Sequence, residues 1–152
     1  METRERMVMI VDDDAHFVIA LEKRLRAAGY RTVTSLTADK AVGKAVDSPP
    51  DVILLDLCLN GADGLDVAAA LRQEPATAHT PIIFVTGSAS AEFKSACAAV
   101  GGKYFLAKPY DPDLLLQLLR SVFGTDELTE AQRLSAAKRR QPTGQVGYQY
   151  TR

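Results

Sequence analysis

Val52-Ile53-Leu54-Leu55-Asp56 is an unbroken apolar run closed by one carboxylate, set between Ser48-Pro49-Pro50 and the turn pairs Asn60-Gly61 and Asp63-Gly64. A run without polar alternation describes a strand buried on both faces, and such strands belong to parallel sheets covered by helices on either side. The same form recurs outward from it. Met7 to Val11 runs into Asp12-Asp13-Asp14, Pro81-Ile82-Ile83-Phe84-Val85 into Thr86, and Tyr104 to Ala107 into Lys108-Pro109, while Arg31 to Ser35 is a weaker fifth strand. Stretches of helical period separate them, so the chain reads as repeated βα units. The expected fold is α/β, a doubly wound five-stranded parallel sheet with helices on both faces.

Phe17, Leu21, Leu25 and Ala28 share one face of the first helix, which Asp14 can cap and Gly29 can stop. Thr37 begins a second helix that runs to about Val46. After a loop from Leu57 to Asp63, the expected buried face of a third helix is Leu65, Ala68, Ala69 and Leu71. A fourth covers Ala91 to Val100, and Asp111-Pro112, a cap followed by proline at the first helical position, opens the last, Asp113 to Phe123. Gly124 closes the compact part, so residues 1–124 are expected to form one domain and residues 125–152 a tail. In the tail, Asp126 to Arg140 carries a thin apolar stripe suited to a short helix, and the polar end with Pro142, Gly144 and Gly147 is expected to be disordered.

At 152 residues, 47% apolar and 24% charged, the chain can bury a core without disulfides or structural metal. Its two cysteines, Cys58 and Cys97, lack the short pairing of a zinc site or redox dithiol, which favours a reducing cytoplasm. Met7 to Val11 is too short for a signal segment or a membrane span, so no membrane attachment is expected. Through Gly124 there are 13 basic and 16 acidic residues, and after it 5 and 3. Lys138-Arg139-Arg140 is too short a basic run to imply direct nucleic-acid binding.

The strand ends carry the chemistry. In an open doubly wound sheet, ligands bind beyond the carboxyl ends of the strands, and Asp12, Asp13, Asp56, Thr86 and Lys108 all fall there. Clustered carboxylates repel one another unless a cation holds them, which a divalent ion and Lys108 would supply. Thr86 adds a neutral hydroxyl for a phosphoryl oxygen. Singly, each residue has a plainer role: acids favour a helix N-terminus, which is the reading adopted for Asp14, while Asp56 could end a turn and Lys108 could be a solvated charge. Jointly, complementary groups at four strand ends point to a phosphoryl acceptor. His16 and His79 fall at no strand end and read as surface or helix residues.

The motifs Val11-Asp12-Asp13-Asp14, Leu54-Leu55-Asp56-Leu57 with Asp63-Gly64 seven and eight residues after the aspartate, Val85-Thr86-Gly87, and Phe105-Leu106-Ala107-Lys108-Pro109-Tyr110 arrive in that order. From Met7 to about Phe123 the sequence resembles the receiver domain of response regulators in two-component signalling. The resemblance implies a flavodoxin-like fold with strand order 2-1-3-4-5 and Asp56 as phosphoacceptor. It also implies Mg²⁺, with Mn²⁺ as an alternative, held by Asp12, Asp13 and Asp56 with the backbone carbonyl of Cys58. Thr86 and Lys108 would contact the phosphoryl group, Thr86 and Phe105 would form the switch, and Lys108-Pro109 is the candidate cis peptide. A histidine kinase or histidine phosphotransfer protein is implied as donor and a downstream protein as target. The face built from Glu92 to Val100, Tyr104 to Ala107 and Asp113 to Phe123 would change on phosphorylation, and a homodimer through it is left open.

Some positions depart from the commonest pattern. Asn60 stands where proline is frequent, which is expected to loosen the Leu57 to Asp63 loop. Phe105 replaces a more usual tyrosine, and Cys58 and Ser88 sit where the family tunes water's access to the phosphoryl group. Two other chemistries on related folds fit less well. A flavin carrier would need a glycine- and serine-rich phosphate loop where Asp12-Asp13-Asp14 stands, and a dehalogenase-type phosphatase would need a second aspartate where Cys58 stands. The chain is therefore expected to be a phosphoacceptor rather than a turnover enzyme, and with 28 residues after Gly124 a stand-alone receiver. A receiver cut from a longer regulator, or one that signals without phosphorylation, is the alternative.

Overall fold

The computed structural model describes residues 4–87 and 91–124 together with the backbone of Tyr148–Tyr150. In chain order the elements are β1 (Met7–Val11), α1 (Ala15–Ala27), β2 (Arg31–Ser35), α2 (Ala38–Asp47), β3 (Val52–Asp56), β4 (Cys58–Leu59), β5 (Ala62–Asp63), α3 (Gly64–Gln73), β6 (Ile82–Thr86), α4 (Ala91–Ala99), β7 (Tyr104–Ala107), α5 (Pro112–Phe123) and β8 (Tyr148–Tyr150). Five strands are parallel, in the order β2-β1-β3-β6-β7. Counting the parallel strands alone, this is 2-1-3-4-5. The chain leaves β1 for β2 on one side and returns to β3 on the other, so the sheet reverses direction between β1 and β3, and a crevice opens above their carboxyl ends.

Continuous apolar strands are required because each strand feeds two cores. Met9, Val11, Ile53, Leu55, Phe84 and Phe105 pack with α2, α3 and α4 on one face. Val8, Ile10, Leu54, Ile83, Val85 and Leu106 pack with α1 and α5 on the other. Each fully buried aliphatic or aromatic side chain contributes about 1.5–3 kcal/mol relative to exposure. Gly102 is forced by this packing, since a Cβ there would lie 2.4 Å from the Phe84 ring.

Two helix faces differ from the sequence expectation by a residue. In α1 the buried set is Val18, Leu21 and Leu25, with Ala28 exposed because the helix has already ended at Ala27. In α3 it is Val67, Ala68 and Leu71 with Gly64, while Ala69, about 100° further round the helix than Ala68, faces out. The caps follow the sequence more closely: Asp14, Asp63 and Asp111 accept backbone amides at the starts of α1, α3 and α5.

Two larger differences concern segments read as irregular. Leu57 to Asp63 is not a loop but contains a β-hairpin, with Cys58 opposite Asp63 and Leu59 opposite Ala62. Asn60 and Gly61 form its two-residue turn with φ of 45° and 83°, the left-handed pair that matches the twist of a tight hairpin. The polar end of the tail contributes a sixth strand. β8 runs antiparallel to β7, pairing Tyr150 with Tyr104, Gln149 with Phe105 and Tyr148 with Leu106. Without it β7 would present an open edge of amides and carbonyls, and a tyrosine-rich segment has the extended preference to fill one. The expected tail helix, Asp126 to Arg140, lies outside the described residues. Among those residues no helix is long and apolar enough to cross a membrane.

Candidate functional site

The reversal of strand order brings Asp12 from the end of β1, Asp56 from β3, Thr86 from β6 and Lys108 from just past β7 to one rim of the sheet. Asp12, Asp56 and Thr86 are buried, at 3%, 6% and 7% exposure. The Lys108 ammonium donates to Asp12 Oδ2 at 2.9 Å and to Asp56 Oδ2 at 2.7 Å. Asp13 joins the group, and oxygens of Asp12, Asp13 and Asp56 lie within 4.8 Å of one another. Three carboxylates thus share one ammonium, and the cluster is short of positive charge. At such spacing unit charges interact by about 4 kcal/mol at an effective dielectric of 20, so another cation here is strongly favoured.

Each carboxylate is also held by a main-chain amide. Asp14 donates to Asp12 Oδ1, Cys58 to Asp56 Oδ1 and Asn60 to Asp13 Oδ2, each at 2.9 Å. Burial pushes the Asp12 carboxyl above its ordinary range, while the Asp14 amide and Lys108 pull it back only in part. Lys108 shows the opposite balance: burial lowers its pKa, but the hydrogen bonds and charges of Asp56 and Asp12 together hold it above the usual lysine value.

Aromatic side chains wall the lysine. Its Nζ lies 5.4 Å from the Phe17 ring centroid, and Phe17 meets Tyr110 edge-on at 5.6 Å. The Tyr110 hydroxyl is buried with no hydrogen-bond partner among the described residues. Burial, then the charges of Asp12 and Asp56, drive its pKa upward, so it stays a neutral phenol. A buried hydroxyl without a partner costs about 1–3 kcal/mol, so Tyr110→Phe is expected to raise unfolding free energy by about 1 kcal/mol. Urea titration at neutral pH checks this, and a loss of stability would show that the hydroxyl has a partner.

Residues 8–120 match the family model for the response regulator receiver domain. The chain belongs to that family. Over 117 residues it is 32% identical to the phosphate regulon transcriptional regulatory protein PhoB of Pseudomonas aeruginosa, an alignment covering 77% of this chain and 51% of PhoB. It is likewise 32% identical over 115 residues to the response regulator PleD of Caulobacter vibrioides, covering 76% of this chain and 25% of PleD. This receiver therefore spans about half the length of PhoB and a quarter of PleD. Among solved structures, the Vibrio cholerae chemotaxis protein CheY4 superposes with a TM-score of 0.75 at 31% identity, over 78% of this chain and 99% of that one. The receiver domain of the sensor histidine kinase PA1611 from P. aeruginosa, with magnesium coordinated in its active-site cleft, gives 0.71 at 27% identity over 80% and 100%. The chain is thus a receiver of two-component signalling, a family of signalling phosphoacceptor domains that bind Mg²⁺ at an acidic site.

In this receiver the β4–β5 hairpin is the frame of the site. The Gly64 amide donates to the Leu57 carbonyl at 3.0 Å, and a Cβ on Gly64 would fall 2.3 Å from the Asp56 carbonyl oxygen and 2.8 Å from the Leu57 Cα. Asn60 stands in the turn of this hairpin. Its left-handed turn closes a hairpin, and its amide, which proline would lack, ties that hairpin to Asp13.

Phe105 is buried and stacks on Phe84 with centroids 6.0 Å apart, so this aromatic points into the core. The Lys108-Pro109 peptide is cis. Cys58 is exposed at the rim, whereas Cys97 is a core residue whose thiol burial pushes up to about 11. His16 and His79 are exposed, and Ser88 lies outside the described residues. The sequence reading missed Phe17, Tyr110 and the Asn60 amide as site components. For the hairpin, Asn60-Gly61 was itself the available signal.

Proposed function

We propose that this receiver accepts a phosphoryl group on Asp56 from a phosphohistidine and thereby changes the face it offers to a downstream protein. A carboxylate oxygen of Asp56 forms the new O–P bond as the P–N bond to the donor imidazole breaks, and the electron pair of that bond leaves on the imidazole nitrogen. Carboxylates attack phosphorus poorly unless the charge on the phosphoryl oxygens is neutralised and the groups are held in line. The convergence of Asp12, Asp13, Asp56 and Lys108 on one rim is the observation that carries this reading. Lys108 already holds Asp56 and offers its charge to the transferred group, and the Cys58 amide fixes the other oxygen of Asp56 and so its orientation.

Asp12, Asp13 and Asp56, with the backbone carbonyl of Cys58, would hold Mg²⁺, or Mn²⁺ in its place. When bound, the ion supplies charge neutralisation for the phosphoryl oxygens. The donor set suits it, because Mg²⁺ takes few protein carboxylates and keeps waters.

Thr86 would then donate its hydroxyl to the phosphoryl group and Phe105 would follow, altering the surface of α4, β7 and α5. This is a two-state equilibrium biased by local charge. The donor is a histidine kinase or phosphotransfer protein, residues 1–124 form the switching unit, and residues 125–152 form a tail whose last strand covers the edge of that same surface. Intact-mass spectrometry of wild type with acetyl phosphate tests the chemistry. One added phosphoryl group with Mg²⁺ and none in chelator is expected, and no gain under either condition would replace this reading with signalling by binding alone.

A further inference from the structure

We propose that the outer edge of β7 is a docking surface for an extended strand, that β8 masks it within one chain, and that the partner it fits is the β8 segment of a second copy. The inference rests on strand geometry and is independent of whether Asp56 takes up a phosphoryl group.

The direction of the main chain along β7 fixes what this edge offers. The Lys108 amide donates to the Thr86 carbonyl at 2.9 Å, so the main chain at Lys108 faces β6. Alternate residues of a strand turn their main-chain groups to the same side, so Tyr104 and Leu106 also face β6, and the N–H and C=O of Phe105 face the other way. There β8 runs antiparallel, with Gln149 opposite Phe105. In an antiparallel ladder, opposed residues that turn these groups toward each other exchange both bonds, and the pairs on either side exchange none. Of the three pairs between β7 and β8, Phe105 with Gln149 is therefore the hydrogen-bonded one.

A hold of this size is displaceable. Each net hydrogen bond is worth roughly two- to tenfold in an equilibrium, so β8 favours the masked state without locking it. Residues 125–147, 23 in all, can span about 75 Å when extended, enough for β8 of one copy to reach β7 of another. Identical copies present the same edge and the same strand, so exchange keeps the register of Tyr104 with Tyr150, Phe105 with Gln149 and Leu106 with Tyr148. Tethering gives the chain's own β8 an effective concentration on the order of millimolar, which keeps the edge masked in dilute solution. β8 in turn leaves an outer edge of only three residues, and short edge strands are poor templates for further pairing.

A fluorescently labelled peptide of residues 145–152 stands in for the strand of a second copy, and its anisotropy on titration with the full chain tests the proposal. Gln149→Pro in the full chain removes the amide that bonds Phe105 and so unmasks the edge, whereas Gln149→Val keeps that amide. The peptide is expected to bind the proline variant about tenfold more tightly than it binds wild type or the valine variant, and a peptide carrying the same proline is expected to bind none of them. Equal binding to wild type and the proline variant, or binding to neither, overturns the proposal. Amide hydrogen exchange adds a readout that a folding defect cannot imitate. In Gln149→Pro the Phe105 amide is expected to lose about tenfold in protection while the Leu106 amide, which faces β6, keeps its own. A wild-type Phe105 amide that exchanges freely, or one whose protection the proline leaves unchanged, refutes the masking.

Discussion

Asp56→Asn is expected to take up no phosphoryl group under acetyl phosphate and Mg²⁺, conditions in which the wild-type chain gains one. The substitution keeps the shape of the side chain and an oxygen able to accept the Cys58 amide or the Lys108 ammonium, contacts now made at 2.9 and 2.7 Å. It removes only the anionic nucleophile, so positioning survives while reaction is lost, on the order of a thousandfold or more. Stability should move the other way. Asp56 is 6% exposed and shares Lys108 with the equally buried Asp12, so deleting one of the clustered negative charges relieves repulsion. In chelator the variant should be more stable than wild type by about 1 kcal/mol, a gain that shrinks as Mg²⁺ is added. Paired intact-mass and thermal-melt measurements separate the two effects. Phosphorylation of the variant at the wild-type level would mean another residue is the acceptor, and a less stable variant would mean the carboxylates are better compensated than the geometry indicates.

Gly64→Ala, at the first position of α3, should be strongly damaging. Its Cβ would fall 2.3 Å from the Asp56 carbonyl oxygen and 2.8 Å from the Leu57 Cα, and both are backbone atoms that no rotamer change can move aside. The hairpin must then lift from the end of β3 and carry the Cys58 amide away from Asp56. A loss of about 3 kcal/mol is expected, a fall in melting temperature of roughly 10 °C. Two other glycines calibrate the cause. Gly61→Ala meets no atom within 4 Å but must hold φ at 83°, which costs about 1 kcal/mol. Gly43→Ala, inside α2 with open space and ordinary φ, should stabilise by roughly 0.5–1 kcal/mol. Thermal melts of the three variants test the ranking, and a Gly64 variant no worse than the Gly61 variant would show that the hairpin shifts freely and does not frame the site.

Much of this site was legible because its chemistry sits at the ends of strongly apolar runs. Val52 to Asp56, Met7 to Asp12 and Ile82 to Thr86 each announce both a buried strand and the polar residue that terminates it, since a strand buried on two faces tolerates polarity only where it leaves the sheet. Weaker patterns failed at finer detail. Ala69 and Ala28 were expected inside because alanine scarcely distinguishes a buried helix face from an exposed one, whereas Val67 and Val18 took the interior places. The hairpin was taken for a loop because strands of two residues carry no periodicity, although Asn60-Gly61 signals the turn. β8 had no signal beyond two tyrosines spaced by one residue, and its pairing with β7 is set by the edge that the parallel sheet leaves open.

The sequence by itself determined the class of fold, the strands that meet at one rim, and the acids, hydroxyl and lysine that stand there, because burial and strand termination are local properties written in residue type. Only the tertiary structure decided how those groups hold one another: that Lys108 bridges Asp12 and Asp56, that the Asn60 amide reaches Asp13 across 47 residues, and that Gly64 must lack a side chain for the hairpin to lie against Asp56. Those are contacts between segments distant along the chain, and a distance between such segments is fixed by how layers pack, which no single stretch of sequence specifies.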